Sequence, residues 1–263
     1  SADGSQIWAE TYDRDLTVDS IFGIQDDITQ RVIGTISDEW GVISQMVRGN
    51  ATNRGTDDLS SYECVLTAFE YLDKTTPESH LRARDCLEET IERDPLYADA
   101  WGALALIYAH EEVHGFNPLP NSIPRALATA ERGVRADDDS QMAWLGLAAA
   151  YYFAHDQDKF IGAADKALAI NPNDVSRLAG LGFLFGTWGM LEKGLRLTEK
   201  AIALSPFDLF WYYVVPWIDA YSRQDYETAL AYAHKYNVPG FWWTYMYYVP
   251  AYAQLGQMEE AKE

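Results

Sequence analysis

A short segment that ends in proline recurs three times along this sequence. In each copy an apolar helix end and a small polar residue precede the proline, which is Pro95, Pro172 or Pro206, and the last two prolines are 34 residues apart. Proline cannot continue a helix, because it lacks a backbone N–H and its ring clashes with the preceding turn. The spacing therefore predicts a chain of helical units, each closed by a proline.

A second pattern runs in phase with the prolines. Counting three residues past each proline gives the unit starts Ala98, Val175 and Leu209. Counting from these at the repeat spacing adds the starts Cys64, Gln141 and Trp242. Two large residues, a small one and an aromatic one then recur at fixed offsets, as Trp101, Leu104, Ala105 and Tyr108, as Trp144, Leu147, Ala148 and Tyr151, and as Leu178, Leu181, Gly182 and Phe185. This pattern resembles the signature of tetratricopeptide repeats. A helical bundle in which the two patterns agree by chance is the alternative.

The offsets of three and four have a physical reason. They place the four residues on one face of a helix, where the small residue allows a neighbouring helix to approach closely. A second helix follows in each unit and supplies the packing partners Ala83, Leu87, Ala126, Ala130 and Ala167. Since one helix pair cannot bury its apolar face alone, the pairs are expected to stack. The predicted fold is an all-α tetratricopeptide-repeat superhelix, an α-α solenoid, over residues 61–263, with about six units and the last one truncated.

One unit is longer than the others by nine residues. The insertion maps to His114–Ser122, a segment that contains glycine and proline and that is expected to be a loop between the two helices of its unit. Loops of this kind either carry contacts or are tolerated surface insertions, and the sequence leaves both possibilities open.

The first quarter of the chain follows a different pattern. Residues Gln6–Tyr12 are expected to form a short strand. From Ser20 to Val47 apolar residues fall mostly four apart, which predicts one long amphipathic helix that needs a partner. A polar linker over residues 51–60, beginning as early as Arg48, is expected to lead into the repeats. Both ends of the sequence are abrupt, which predicts a piece of a longer protein.

Composition narrows the classes of partner. Asp and Glu number 40 against 20 Lys and Arg, for a net charge of −20, so the surface is expected to repel nucleic acid and anionic lipid. The longest uncharged stretch, Tyr236–Met258, is interrupted by Pro239 and Pro250 and is not expected to span a membrane. Cys64 and Cys86 have no metal-ligand spacing and are predicted to be buried packing residues of a cytoplasmic protein rather than a disulfide.

Several phrases resemble one family of bacterial proteins. They are Gly4–Leu16, Ile21–Ile28, Ser61–Leu66 and Pro95–Trp101. They resemble the tetratricopeptide-repeat region of bacterial class III adenylate/guanylate cyclase-like signalling proteins, in which the first phrase ends a TolB-like domain. The resemblance implies that residues 1–50 are the end of that upstream domain and that the chain is a regulatory C-terminal part. No cyclase motif is recognisable, so the chain is predicted not to be an enzyme, and no catalytic residue or cofactor is predicted.

The first helices of the units are expected to line a concave, apolar and aromatic groove. Its predicted members are Met142, Tyr152, Phe183, Phe210, Tyr213, Trp217, Tyr221, Trp243 and Met246. Large rings dominate binding hot spots, so we predict that the groove binds a peptide or helix of a partner protein. The rings could instead only pack the repeats together, or the helix that ends at Val47 could fill the groove. Lys and Arg are missing at these positions, which argues against capture of an acidic C-terminal peptide.

A metal-binding pattern also occurs. His110, Glu111 and His114 match H-E-x-x-H, in which two histidines on one helix face bind zinc and the glutamate acts as general base. A zinc site would need a third ligand, for which Glu131 is the one nearby acid worth naming, and the pattern runs into a loop with glycine and proline. No metal site is therefore predicted, and a zinc hydrolase is a distant alternative. The predicted function is a protein-interaction and regulatory scaffold. The main alternative is a homo-oligomerisation module, for example a homodimer, that brings together copies of an upstream catalytic domain.

Overall fold

The computed structural model describes residues 32, 41–51, 55–56, 59–205, 209–236 and 243–262. Within these ranges all regular secondary structure is helical, which confirms the predicted all-α class. The predicted strand Gln6–Tyr12 and most of the predicted helix from Ser20 to Val47 lie outside the described residues. The chain divides into two compact units, each made of several repeats. The first unit is residues 1–172 and the second unit is residues 173–263.

The first unit is a series of helices in which sequence neighbours pack against each other. Its helices are α1 (Val42–Ala51), α2 (Ser61–Lys74), α3 (Pro77–Arg93), α4 (Ala98–His114), α5 (Ser122–Ala136), α6 (Gln141–Phe153) and α7 (Gln157–Ile170). The pairs α2 with α3, α4 with α5, and α6 with α7 are the predicted repeats, and α4 also packs against α6 of the next pair. Contacts of this kind bury the apolar faces that one pair would leave exposed.

The second unit repeats the arrangement. Its helices are α8 (Val175–Thr187), α9 (Leu191–Leu204), α10 (Val214–Ser222), α11 (Tyr226–Lys235) and α12 (Trp243–Gln254), with 3₁₀ segments at Phe210–Tyr213 and Glu260–Lys262. Helices α8 and α9 pair, as do α10 and α11, and α12 packs against α11.

The same turn follows the first helix of four repeats. A residue with positive φ stands at each turn, namely His155, Gly189, Gln224 and Gly256. In each turn the next N–H donates to a carbonyl five residues back, as Asp156 does to Tyr151 at 3.0 Å and Gln257 does to Tyr252 at 2.9 Å. This hydrogen bond satisfies a carbonyl that the helix end leaves without an intrahelical donor, and it reverses the chain. The backbone turn therefore recurs with the same spacing as the sequence repeat.

The predicted packing partners on the second helices are buried between helices. Ala83, Leu87, Ala126, Ala130 and Ala167 are all 0% exposed. The small residues of the first helices are buried as well, and a Cβ added to Gly182 would lie 3.1 Å from the Gly194 carbonyl oxygen of α9. Close helix approach through small side chains is therefore confirmed.

The prediction that the two cysteines are buried is confirmed, but the prediction that they form no disulfide is wrong. Cys64 on α2 and Cys86 on α3 form a disulfide with a Cα–Cα distance of 5.3 Å. The antiparallel pairing of the two helices brings residues 22 apart in sequence face to face. Local spacing could not show this, because the distance is set by the packing of one helix on the other. The cytoplasmic location, which rested partly on free thiols, stays a prediction without that support.

The segment before the repeats also differs from its prediction. The backbone bends at Gly41, and α1 then continues to Ala51, so the stretch expected to be a linker from Arg48 begins inside a helix. Helix α1 packs on α2, and the Arg82 guanidinium donates to the Ala51 carbonyl at 2.8 Å, which satisfies a carbonyl at the helix end.

Across the described ranges, every helix is too short or too polar to traverse a lipid bilayer.

Candidate functional site

The predicted groove residues fall into three classes of exposure. Met142 and Tyr213 are buried, at 1% and 4% exposed, and so belong to the packing inside their units rather than to a surface. The half-buried members are Tyr152, Phe183, Phe210, Trp217, Tyr221 and Trp243. Met246 is 53% exposed. Residues that keep both a packed side and a solvent side are the ones able to present a binding surface.

In the second unit several of these rings share one cluster, called the aromatic surface below. It consists of Phe183, Phe210, Trp217, Tyr221 and Trp243. Four of the five pack against the buried cluster formed by Val214, Ala233, Tyr236 and Tyr247. The fifth, Tyr221, stacks on Trp217 with ring centroids 4.7 Å apart. Trp217 also meets Tyr247 edge-to-face at 5.1 Å. These contacts pack the Trp217 ring against Tyr221 and Tyr247.

Trp217 carries an unsatisfied polar atom. Its Nε1 is buried and has no hydrogen-bond partner among the described residues. Buried N–H groups are nearly always paired, and leaving one without an acceptor costs about 1–3 kcal/mol. Because the atom is buried, an acceptor oxygen of a bound segment could remove this cost only if the groups that cover Nε1 moved aside.

The helices that carry the aromatic surface are almost free of charge. Across α8, the 3₁₀ segment Phe210–Tyr213, α10 and α12, the charged side chains are Arg177 and Asp219. Arg177 is 5% exposed, and the Asp219 carboxylate accepts from Arg223 at 2.7 Å. The surface can therefore recognise apolar groups and hydrogen-bonding groups far better than it can recognise charge.

The H-E-x-x-H segment of the first unit has a structural role. The Glu111 side chain is fully buried between Arg84, whose Nη1 lies 3.1 Å from Oε1, and Arg125, which donates to Oε2. Oε2 also accepts from the Leu119 N–H at 3.1 Å. A carboxylate held by two guanidinium groups and a backbone N–H is a poor general base, because its lone pairs are already occupied.

Glu111 and its partners fix the insertion loop, Gly115–Asn121. The Arg84 Nη1 donates to the Asn117 carbonyl at 2.7 Å, and the Asn117 side-chain amide donates to the Pro77 carbonyl at 2.7 Å. The segment predicted as a loop is therefore a loop, and it is anchored to α3 and α4.

Three histidines surround Tyr71 close to this loop. His110 Nδ1 lies 3.2 Å from the Tyr71 hydroxyl, and the His110 and His114 ring centroids are 5.5 Å apart. His80 is fully buried, with Nε2 3.1 Å from the Ile107 carbonyl and Nδ1 3.3 Å from the Asn117 amide. Both His80 nitrogens thus have protein partners. In the part of the chain that the structure describes, the one set of three close metal-ligand side chains is the exposed triplet Asp137–Asp139. His110 and His114 belong to no such set there.

Burial controls the protonation of these histidines. It lowers the pKa of His80, His110 and His114 from the usual value, and the neighbouring imidazoles lower the pKa of His110 further. Burial also raises the pKa of Tyr71. The cluster is therefore neutral near pH 7.

Acid is expected to destabilise the first unit through this cluster. Above the unfolded-state pKa of about 6.5 the three histidines are neutral whether the chain is folded or not. As pH falls below that value, the unfolded chain binds protons that the folded chain does not, so stability falls by about 1.4 kcal/mol per pH unit for each histidine that stays neutral. Urea unfolding between pH 7.5 and pH 5 measures the slope. We expect stability to fall less steeply with pH in His110→Gln/His114→Gln than in the unmodified chain. Equal dependence of stability on pH in the two proteins would contradict this explanation.

Comparison with solved structures supports the predicted tetratricopeptide-repeat fold. The chain is similar to TTC0263, a thermophilic TPR protein of Thermus thermophilus, at 15% identity and a TM-score of 0.56, covering 74% of this chain and all of that one. It is also similar to PilF of Pseudomonas aeruginosa, at 15% identity and a TM-score of 0.52, covering 80% and 90%. Human IFIT1, solved as a dimer with m7Gppp-AAAA, gives 15% identity and a TM-score of 0.61, covering 94% and 59%. The fold is that of the tetratricopeptide-repeat class.

Comparison of sequences gives a more specific result than comparison of folds. The chain is 26% identical over 148 residues to a Rhizobium meliloti protein named "Putative adenylate cyclase 3". The match spans 56% of this chain and 24% of that protein, so the chain corresponds to about a quarter of its relative. This similarity fits the tetratricopeptide-repeat region of a cyclase-like protein, as the sequence phrases predicted. No family model matches the chain.

Proposed function

We propose that the chain is the protein-interaction scaffold of a cyclase-like signalling protein, and that its aromatic surface binds an apolar helix or peptide of a partner. Tetratricopeptide folds serve as protein-interaction scaffolds, which supports the general role. The Trp217 indole N–H, buried in a half-exposed aromatic surface without an acceptor among the described residues, is the observation that carries the specific role. Catalysis by the parent protein would then reside outside this chain.

The partner segment should be uncharged where it meets the surface. The apolar side chains of the segment would pack on the rings, and a backbone carbonyl of the segment would accept from Trp217 Nε1 after the groups that bury this atom move aside. The lack of charge on the supporting helices argues against an acidic tail as the ligand, as the sequence also predicted.

Binding by Trp217 can be measured with fluorescent synthetic peptides. The probes are uncharged 15-residue amphipathic helices of leucine and glutamine with different leucine spacings. Trp217→Phe keeps a ring and removes the N–H, so we expect binding about five-fold weaker, the worth of one hydrogen bond near 1 kcal/mol. Trp217→Ala should weaken it by about 30-fold or more, as for a hot-spot residue.

Trp144→Phe is the matched control. It removes an indole N–H that donates to the Asp138 carbonyl at 2.8 Å in the other unit, so peptide affinity should not change. If no probe binds, or if Trp217→Ala binds as well as the unmodified chain, the proposed site is wrong.

A further inference from the structure

The Cys64–Cys86 disulfide joins the two helices of the first repeat inside its core. Cys64 on α2 is 1% exposed and Cys86 on α3 is 0% exposed, and the two residues are 22 apart in sequence. A cross-link across a segment of this length stabilises the folded chain, because it restricts the unfolded chain. The disulfide therefore holds α3 against α2 in addition to the packing of the two helices.

Helix α3 also anchors the insertion loop. The Arg84 Nη1 donates to the Asn117 carbonyl at 2.7 Å. The Asn117 amide donates to the Pro77 carbonyl at 2.7 Å and lies 3.3 Å from His80 Nδ1. Pro77, His80 and Arg84 are three and four residues apart, so they lie on one face of α3. Cys86 follows Arg84 by two residues, about 200° further around the helix. One helix thus connects the disulfide on one side with the loop on the other.

Reduction of the disulfide should loosen α3. The two sulfur atoms become thiol groups that are no longer bonded and need more room, and extra volume in a packed core is destabilising. The restriction on the unfolded chain is lost as well. Stability in a repeat array is local, since each repeat contacts only its neighbours. Opening of the first repeat therefore leaves distant repeats folded.

We infer that the Cys64–Cys86 disulfide is a redox-sensitive lock on the insertion loop. With the disulfide formed, α3 is fixed and its anchors hold the loop. With the disulfide reduced, α3 loosens and the loop is released. The chain is predicted to be cytoplasmic, and disulfides of cytoplasmic proteins are usually ones that form and break with the redox state. The lock acts in the first unit and does not depend on peptide binding by the aromatic surface.

The reductant is a dithiol. Its thiolate attacks one cysteine sulfur and forms a mixed disulfide, and the other cysteine leaves as a thiolate. The second thiol of the reductant then closes the reductant's own disulfide and releases the first cysteine. Two electrons pass to the protein, and each cysteine sulfur takes up a proton. Because both cysteines are buried, the reductant reaches them only when α2 and α3 separate transiently, so low concentrations of urea should speed the reduction.

Hydrogen exchange of the oxidised chain and of the chain reduced with dithiothreitol tests the lock. Reduction should increase opening of α2 and α3 on the order of 100-fold. Exchange in residues 115–121 should become faster by about 20-fold, the combined effect of two ordinary hydrogen bonds to α3. Helices α10 and α11 of the second unit should not change. If residues 115–121 exchange equally in both states, or if two free thiols remain after treatment with oxidised glutathione, the inference is wrong.

Two variants separate the disulfide from the anchors. Cys64→Ala/Cys86→Ala has no cysteine left and should exchange like the reduced chain with or without dithiothreitol. Asn117→Gly keeps the disulfide and removes the amide that donates to Pro77, and glycine tolerates the positive φ of 45° at this position. It should release the loop while α2 and α3 of the oxidised chain stay protected. A response of the double variant to dithiothreitol, or a fully protected loop in Asn117→Gly, would overturn the inference.

Discussion

Replacing Glu111 by alanine is expected to lower the free energy of unfolding by about 3–5 kcal/mol. The substitution removes the carboxylate that balances two guanidinium groups, of Arg84 and Arg125, and Arg84 is only 8% exposed. A charge left without its partner in a buried site costs more than the pair contributed. The Leu119 N–H also loses its acceptor, so the insertion loop should become more mobile.

Urea denaturation measures this effect, and the adjacent residue provides the control. Glu112 is exposed and accepts from the Ser122 hydroxyl at 3.0 Å, so Glu112→Ala removes the same chemical group at the cost of about one hydrogen bond. Hydrogen exchange should be faster in residues 115–121 for the Glu111 variant alone. A Glu111→Ala protein as stable as Glu112→Ala would show that the network does not hold the loop.

Replacing Gly102 by leucine is expected to destabilise the chain by about 3 kcal/mol or more. Gly102 on α4 faces α6, and a Cβ built there would lie 2.8 Å from the Ala143 Cα. On the other side of the contact, a Cβ at Gly146 would lie 2.5 Å from the Gly102 carbonyl oxygen. Backbone atoms cannot move aside as a flexible side chain can, so α4 and α6 would have to separate. Leucine is a good helix former, so the loss would come from packing rather than from helix propensity.

Gly162 provides the opposite case. It lies within α7, and a Cβ built there meets nothing within 4 Å. Gly162→Ala should therefore stabilise the chain by up to about 1 kcal/mol, because alanine is the better helix former. Thermal unfolding of both variants gives the comparison. The packing account fails if Gly102→Leu is tolerated or if both variants shift stability in the same direction.

The repeat fold could be predicted because its signals are local. The prolines after α7 and α9, and the small residues such as Ala105, act within one turn or at one helix face, and sequence spacing records both. The loop between α4 and α5 was also predictable, since an extra nine residues with proline and glycine cannot continue a helix.

The sequence pattern could not predict which side chains meet between helices. His110, Glu111 and His114 match a metal motif, but the role of Glu111 depends on Arg84, which lies 27 residues away, and on Arg125 from a third helix. The one local sign of this network in the sequence is Arg84, an arginine on the buried side of α3. The Cys64–Cys86 disulfide was missed for the same reason.

The exposure of the predicted groove residues could not be predicted either. Position within a repeat placed Met142 and Trp217 in the same predicted groove, yet Met142 is covered by its neighbours and Trp217 is half-buried. Which side chain is covered depends on the size of the side chains on the next helix. Helical periodicity contains no information about that.

Hydrogen exchange of the chain with and without a saturating uncharged amphipathic peptide tests the central claim most directly, because it locates the binding site. We expect slower exchange in the 3₁₀ segment Phe210–Tyr213, α10 and α12, with α2 to α5 unchanged and the effect lost in Trp217→Ala. Protection confined to the first unit, or a bound peptide that protects neither α10 nor α12, would contradict the account.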